Sequence, residues 1–341
     1  MQLYSLAQEK QFIGEITKNY QSVDVIGAKL GGSVVATSDE WFAAAENLIQ
    51  PKVPIRDATK FTHAGAWYDG WETRRHNEKE YDWVIIKMGV HAARIVGGEI
   101  DTAFFNGNHA PHVSVDALFD YNENNESVSE TDPRWEEVIT KFECGPSQRH
   151  FFIREGGLTE KTYTHIKLKM YPDGGIARFR LYGKVVPPEF KKLSANNNID
   201  LAFVCNGAVA LDFSDQHFGS ADNLLLPGRG HDMSDGWETK RSRTPGHTDW
   251  VSIQLGRQST FIDKIVIDTA HYRGNFPQYI TVHGCQGPPD KDTQWIELVG
   301  KSKTGPDTEH EYKIQKEMKL THVKLTIIPD GGVKRIRVWG Y

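Results

Sequence analysis

The sequence predicts an all-β protein, a tandem repeat of two jelly-roll β-sandwich domains in one chain of 341 residues. Three observations predict it. An internal repeat runs through the chain. The apolar runs are short, rich in β-branched residues and bounded by glycine. Helical periodicity is thin.

The repeat comes first because a missed repeat misassigns the whole fold. Asp69-Gly70-Trp71-Glu72-Thr73-Arg74-Arg75 recurs as Asp235-Gly236-Trp237-Glu238-Thr239-Lys240-Arg241. Asp82-Trp83-Val84 before Gly89 recurs as Asp249-Trp250-Val251 before Gly256. Ile100-Asp101-Thr102-Ala103 with Gly107-Asn108 recurs as Ile267-Asp268-Thr269-Ala270 with Gly274-Asn275. Thr164-His165-Ile166-Lys167-Leu168 and Pro172-Asp173-Gly174-Gly175 recur as Thr321-His322-Val323-Lys324-Leu325 and Pro329-Asp330-Gly331-Gly332. Order is kept throughout, and spacing drifts only where loops would differ. Val185-Val186-Pro187-Pro188 closes the first copy, and a polar stretch with three asparagines, Asn196 to Asn198, follows it. The expected division is a first repeat over 1–186, a linker over 187–198 and a second repeat over 199–341.

Within each repeat the strands follow from composition. Trp83 to Met88, Trp250 to Leu255 and Lys264 to Ile267 are β-branched and flanked by glycine, which suits a pleated, packed surface. His165 to Met170 alternates polar and apolar residues, the pattern of a half-buried strand. Each Pro-Asp-Gly-Gly segment is expected to turn one strand tightly into the next, with positive φ at glycine. Two short helices are expected, over 40–49 and 134–142. Many short strands with glycine turns fold as a sandwich or jelly roll.

Composition narrows the function. A formal net charge of -5 argues against nucleic acid, which demands a basic face. A small anionic substrate is still allowed, because a local pair of arginines can oppose the global sign. Cys144, Cys205 and Cys285 are odd in number and far apart. That fits neither a disulfide framework nor a structural zinc site, and it suits a reducing compartment. Glu9 and Lys10 interrupt what a signal peptide would need as an apolar core, and no run reaches transmembrane length. The chain ends Trp339-Gly340-Tyr341, which is no peroxisomal address. The expectation is a cytoplasmic protein with no membrane partner.

Three segments could carry chemistry. If Trp71 to Asn77 runs extended, Glu72, Arg74 and His76 share one face, and Thr73 and Arg75 the other. Glu238 and Lys240 then share a face opposed by Thr239 and Arg241. Arginine can fork a carboxylate, and glutamate can exchange a proton with a leaving nitrogen. The plainer reading is a turn aspartate, a core tryptophan and a structural ion pair. The second segment, Asn106-Gly107-Asn108-His109-Ala110-Pro111-His112, matches Arg273-Gly274-Asn275-Phe276-Pro277. Its amides can bind a ureido group through donor and acceptor. His109 and His112 are half a metal site without an evident third ligand, so no metal and no cofactor are expected. The third is Arg178 and Arg180, matched by Arg335 and Arg337, expected on a solvated or subunit-contact face. No G-x-S-x-G, H-E-x-x-H, Walker or dinucleotide motif is present. His63, His217 and His231 have no diagnostic partner in the sequence.

The order of segments is similar to the galactose-binding, discoidin-like jelly roll: an Asp-Gly loop, Trp-Val-x-Ile-x-Leu-Gly or its variant, a strand, then strand–turn–strand. A longer set of strings is more specific. Ser38-Asp39-Glu40-Trp41-Phe42, Asn47-Leu48-Ile49, Gly65-Ala66-Trp67-Tyr68-Asp69-Gly70-Trp71-Glu72-Thr73-Arg74-Arg75, Phe104-Phe105-Asn106-Gly107-Asn108 and Tyr171-Pro172-Asp173-Gly174-Gly175 closely resemble the allantoicase (allantoate amidinohydrolase) family. The resemblance covers nearly the whole chain and departs only in loops near 121–132 and 286–294. It implies hydrolysis of allantoate to ureidoglycolate and urea in purine degradation, two jelly-roll repeats per chain, and a homo-oligomer. Allantoate carries one carboxylate and two ureido arms on one carbon. The chemistry of the residues then suggests roles. Arg74 or Arg75, or Lys240 and Arg241, would clamp the carboxylate. Asn106, Asn108 or Asn275, with Arg273 beside the last, would hold a ureido arm. Glu72 or Glu238 would act as acid and base, with His76 or His109 in reserve. The contrasts Arg74 against Lys240, His76 against Ser242 and His109 against Phe276 suggest that the two sites are not equivalent, and they favour the first for catalysis. A non-catalytic carbohydrate- or surface-binding module and a neighbouring ureide hydrolase are the competing readings.

Overall fold

A computed structural model describes residues 1–120, 128–189 and 197–341. The chain divides into two compact units, Met1–Val186 and Pro187–Tyr341. Most of the expected linker, and the start of the variable loop near 121–132, lie outside the described residues.

The first unit is a sandwich of two five-stranded antiparallel sheets. In hydrogen-bonded order one sheet is Gln2–Tyr4, Arg149–Ile153, Ala92–Asp101, Arg178–Val186 and Val23–Asp24. The other is Glu136–Glu143, His112–Leu118, His165–Tyr171, Asp82–Lys87 and Ser33–Thr37. Val84, Ile86, Val113, Val115, Ile166, Leu168, Ile100 and Phe179 are buried between the sheets. Burying alternate apolar side chains of two facing sheets is what drives such a sandwich together.

The second unit repeats the plan. Its four-stranded sheet runs Ile199–Asp200, Arg335–Gly340, Phe261–Asp268 and Glu309–Glu317. Its five-stranded sheet runs Val209–Phe213, Asp249–Gln254, His322–Ile328, Tyr279–Cys285 and Ile296–Lys303. Among the described residues, the strand Gln2–Tyr4 at the edge of the first unit has no counterpart in this sheet. It enters with the short α-helix Glu9–Gly14, which the sequence reading did not foresee. Phe12 and Ile16 pack there against Tyr4, Val96, Phe151 and Ile153. In both units a two-residue strand of the repeated motif, Trp71–Glu72 or Trp237–Glu238, pairs with a two-residue strand after the Pro-Asp-Gly-Gly turn, Gly175–Ile176 or Gly332–Val333.

Four expectations need correction. The helix expected over 134–142 is the strand Glu136–Glu143. It pairs with His112–Leu118 through register shifts and buries Val138, Ile139 and Phe142. A bulged strand breaks strict alternation, so its apolar spacing imitates a helix. The helix expected over 40–49 shrinks to a 3-10 turn, Ala45–Ile49. The strand His165–Tyr171 is buried on both faces rather than one. Lys167 donates to the Glu130 carbonyl, its Nζ lies 5.0 Å from the Trp135 ring centroid, and Lys169 pairs with Asp116 at 2.9 Å. The segment carrying Glu130 and Trp135 thus covers a face that alternation alone leaves to water. Finally, Arg178 and Arg335 are buried, not solvated. Arg178 pairs with Asp69 at 2.8 Å, and Arg335 with Asp235 at 3.1 Å. They clamp the aspartates that open the two repeated motifs.

Candidate active site

The motif is held from both ends before it presents a side chain. Trp71 and Trp237 are fully buried. Their indole N–H groups donate to the Asp39 and Asp215 carbonyls, each at 2.8 Å. Asn47 and Asn223, on matching 3-10 turns, donate to the carbonyls of Gly70 and Gly236, each at 2.9 Å. The next residue is the glutamate. The Glu72 backbone bridges Ala43 on one side and Gly175 on the other, and Gly175 also bridges His109. Three chain segments therefore converge on the main chain around one glutamate.

Gly175 makes this approach possible. A Cβ there would meet the Phe105 ring at 2.1 Å. At the matching Gly332 it would meet the Tyr272 ring at 2.0 Å. The preceding Gly174 and Gly331 have φ of 144° and 134°, conformations open to glycine.

Asn108 Nδ2 donates to Glu72 Oε1 at 2.7 Å, and Asn275 Nδ2 makes the same bond to Glu238 Oε1. Burial pushes the Glu72 carboxyl above the usual glutamate value, while the Asn108 bond and the Arg75 charge pull it back. The charge that Glu72 senses is that of Arg75, not Arg74 as strict alternation predicts. The strand ends at Glu72, and His76 sits at φ 63°, so the chain does not run extended to Asn77.

The cations then separate. Arg75 pairs with the turn aspartate Asp173 at 2.9 Å, and the other Asp173 oxygen accepts the Asn77 N–H at 3.1 Å. Arg74 pairs with Asp39 at 2.9 Å and lies 5.5 Å from the centroid of the exposed Trp41 ring. In the second unit the same two acids accept backbone N–H groups. Lys240 N donates to Asp215 at 2.7 Å, and Ser242 N to Asp330 at 2.8 Å. Arg241 lines a cleft of 610 Å³ with Phe218, Glu238, Asn275, Phe276, Gln278 and Asp330.

Of the residues expected at the site, the structure joins Glu72, Asn108 and Arg75, with Asp173, in the first unit. It joins Glu238, Asn275 and Arg241 in the second. His109 reaches the cluster through its backbone, and its Nδ1 lies 3.2 Å from the Asn106 carbonyl. His76 and Asn106 are exposed beside it. Arg74 is engaged elsewhere. Lys240 lines an adjacent hollow with Arg243 and His247. Arg273 is exposed and faces Asp307 at 3.9 Å, and it does not line the cleft. Among the described residues no group of three or more His, Cys, Asp or Glu is arranged to hold a metal ion. Sequence reasoning missed Asp173, Asp330, Gln278 and Phe218. The two aspartates do leave a signal, because they recur in both turns, but turn chemistry alone accounts for them in the sequence.

Comparison with known proteins agrees with this architecture. The family described as the allantoicase repeat matches residues 23–186 and 199–341. The allantoicase of Saccharomyces cerevisiae is 70% identical, over 100% of both chains. That of Neurospora crassa is 51% identical, over 95% of this chain and 93% of its own. A crystal structure of allantoicase from Saccharomyces cerevisiae matches with a TM-score of 0.92 at 69% identity, covering 100% of this chain and 99% of that one. On a match that runs through both repeats, the chain belongs to the allantoicase family.

Proposed function

We propose that the protein hydrolyses allantoate to ureidoglycolate and urea, and that the Glu–Asn–Arg cluster of one of its two repeats is where it does so. The observation that carries the site assignment is the hydrogen bond from Asn108 to the buried Glu72, repeated between Asn275 and Glu238. It puts a proton-exchanging group beside an amide that can donate to, and accept from, a ureido arm. Allantoate as the substrate follows from the relatives, which are named allantoicases.

The chemistry balances with these groups alone. The protonated glutamate gives its proton to the ureido nitrogen bound to the central carbon. That C–N bond breaks, and its electron pair leaves with urea. The lone pair of the remaining ureido nitrogen stabilises the electron-poor carbon. Water adds to that carbon and returns a proton to the glutamate. An arginine holds the substrate carboxylate while the bond breaks. The protein works as a cytoplasmic homo-oligomer in purine breakdown, where released urea returns nitrogen to the cell. Three cysteines far apart in the chain, Cys144, Cys205 and Cys285, suit a reducing compartment and support that location. No helix among the described residues is long and apolar enough to cross a membrane.

Incubation of purified protein with allantoate should release urea and no ammonia. Ammonia in place of urea would assign the chain to amide hydrolysis instead, and neither product would sink the reading. Glu72→Gln or Glu238→Gln, at the cluster that does the chemistry, should lower urea release by roughly 100-fold or more, the scale of general acid–base catalysis. Full activity in both variants would remove the glutamates from the mechanism.

A further inference from the structure

The two clusters share a glutamate, an amide and a turn aspartate, but their cations differ in what they already hold. In the first repeat each is spent: Arg74 on Asp39 and Arg75 on Asp173, both at 2.9 Å. Asp173 is buried, and taking Arg75 from it would leave an uncompensated charge there. In the second repeat the matching acids, Asp215 and Asp330, accept backbone N–H groups of Lys240 and Ser242, as Asp39 and Asp173 do from Arg74 and Asn77, but among the described residues they take no side-chain cation from Lys240 or Arg241. Among the described residues Arg241 has no ion pair or hydrogen bond from its guanidinium, and the same holds for the Lys240 ammonium and the Arg243 guanidinium. Arg241 lines two hollows, of 610 and 420 Å³, that meet at Arg241 and Ser242, and Lys240 and Arg243 line the smaller one.

We infer that the substrate carboxylate is held in the second repeat, by Arg241, and that the cluster of the first repeat does not take an anion. The inference rests on the allantoate reading above and deepens it. It favours the repeat opposite to the one that histidine content alone suggests. The carboxylates facing Arg241 across the cleft are Glu238, already bonded to Asn275, and Asp330, already accepting Ser242 N–H. Neither uses the planar fork of the guanidinium, which matches a carboxylate in two parallel bonds. Lys240 and Arg243 add positive potential at the rim and draw an anion toward it. With a carboxylate on Arg241, the amides of Asn275 and Gln278 remain in the same cleft for a ureido arm, beside the Glu238 carboxyl.

The test uses N-carbamoylglycine, which carries a carboxylate and one ureido arm but lacks the second arm that leaves. N-carbamoylglycinamide serves as its uncharged control. Calorimetric titration of the full chain should give one molecule bound per chain. Arg241→Gln should weaken binding about 30-fold, the scale of a lost charge-assisted contact. The control should bind the wild type about as weakly as the acid binds the variant. Arg75→Gln, and the charge-balanced pair Arg75→Gln with Asp173→Asn, should stay within about 3-fold of wild type. Thermal unfolding of each variant checks that it is folded. Wild-type affinity in Arg241→Gln, loss of binding in the Arg75 variants, two equivalents per chain, or no binding at all would each overturn the inference. Urea release is measured beside it. An unchanged KM for allantoate in Arg241→Gln overturns this assignment and leaves the activity standing. Intact binding of N-carbamoylglycine without urea from allantoate overturns the activity and leaves the anion site standing.

Discussion

Glu72 shows what a sequence can and cannot say about one side chain. Its residue type, and that of Asn108, marked both as candidates, yet the bond between them joins positions 36 apart in the chain and is a product of tertiary packing. The pairing of Arg74 and Arg75 was misjudged for a local reason: the strand stops after two residues, and a positive φ at His76 breaks the alternation that sorted their faces. The burial of Glu72 has a consequence for stability. Its folded pKa lies above the unfolded value, so from 4.5 upward the native chain keeps a proton that the unfolded chain has released. Stability from this group is present at lower pH and is lost as pH rises through that window. Glu72→Gln cannot titrate. The unfolding midpoint of the wild type should therefore fall relative to that variant as pH is raised from about 4 to 7. Parallel pH profiles would mean that Glu72 ionises as it does in the unfolded chain.

At the scale of elements, the strand after each Pro-Asp-Gly-Gly turn was legible because glycine pairs and flanking apolar residues are local signals. What the turn does for the site was not, since Asp173 meets Arg75 and Asn77 from the far end of the repeat. The strand Glu136–Glu143 failed for the opposite reason: its bulged register supplies a helical spacing without a helix. The glycines make a sharp prediction. Gly175→Ala drives a methyl group into the Phe105 ring, and Gly332→Ala drives one into Tyr272. Each should cost about 1–3 kcal/mol in denaturant unfolding, as overpacking does. Gly332→Ala should also lower urea release, because the displaced ring lies under the strand that faces Glu238. A variant as stable as the wild type would show that the ring moves aside freely.

For the whole molecule, duplication was the most legible feature, because five motifs recur in order and a shared scaffold conserves its spacing. The same redundancy hid the functional contrast, since matched residues such as Arg75 and Arg241 differ only in the company they keep. Each sandwich has its own core, and the two can be probed by matched truncations. Leu168 and Leu325 are fully buried at equivalent places in their strands. Leu168→Ala and Leu325→Ala should each cost about 2–5 kcal/mol, read from denaturant or thermal unfolding. A neutral effect of either would mean that its sandwich closes over the cavity. The N-terminal strand and helix have no such twin among the described residues. Their packing, around Phe12 and Phe151, could not be read from repetition.

The turn aspartates have a last consequence. Asp173 and Asp330 both grip the main chain just beyond an arginine, at Asn77 N and Ser242 N, and Asp330 does so with no bond to the Arg241 side chain among the described residues. Shape and charge are thereby uncoupled in this loop. The residue at 241 behaves like a replaceable bit in a fixed chuck, so it is open to exchange for a side chain suited to another acid, or to none, while the loop around it stays in place.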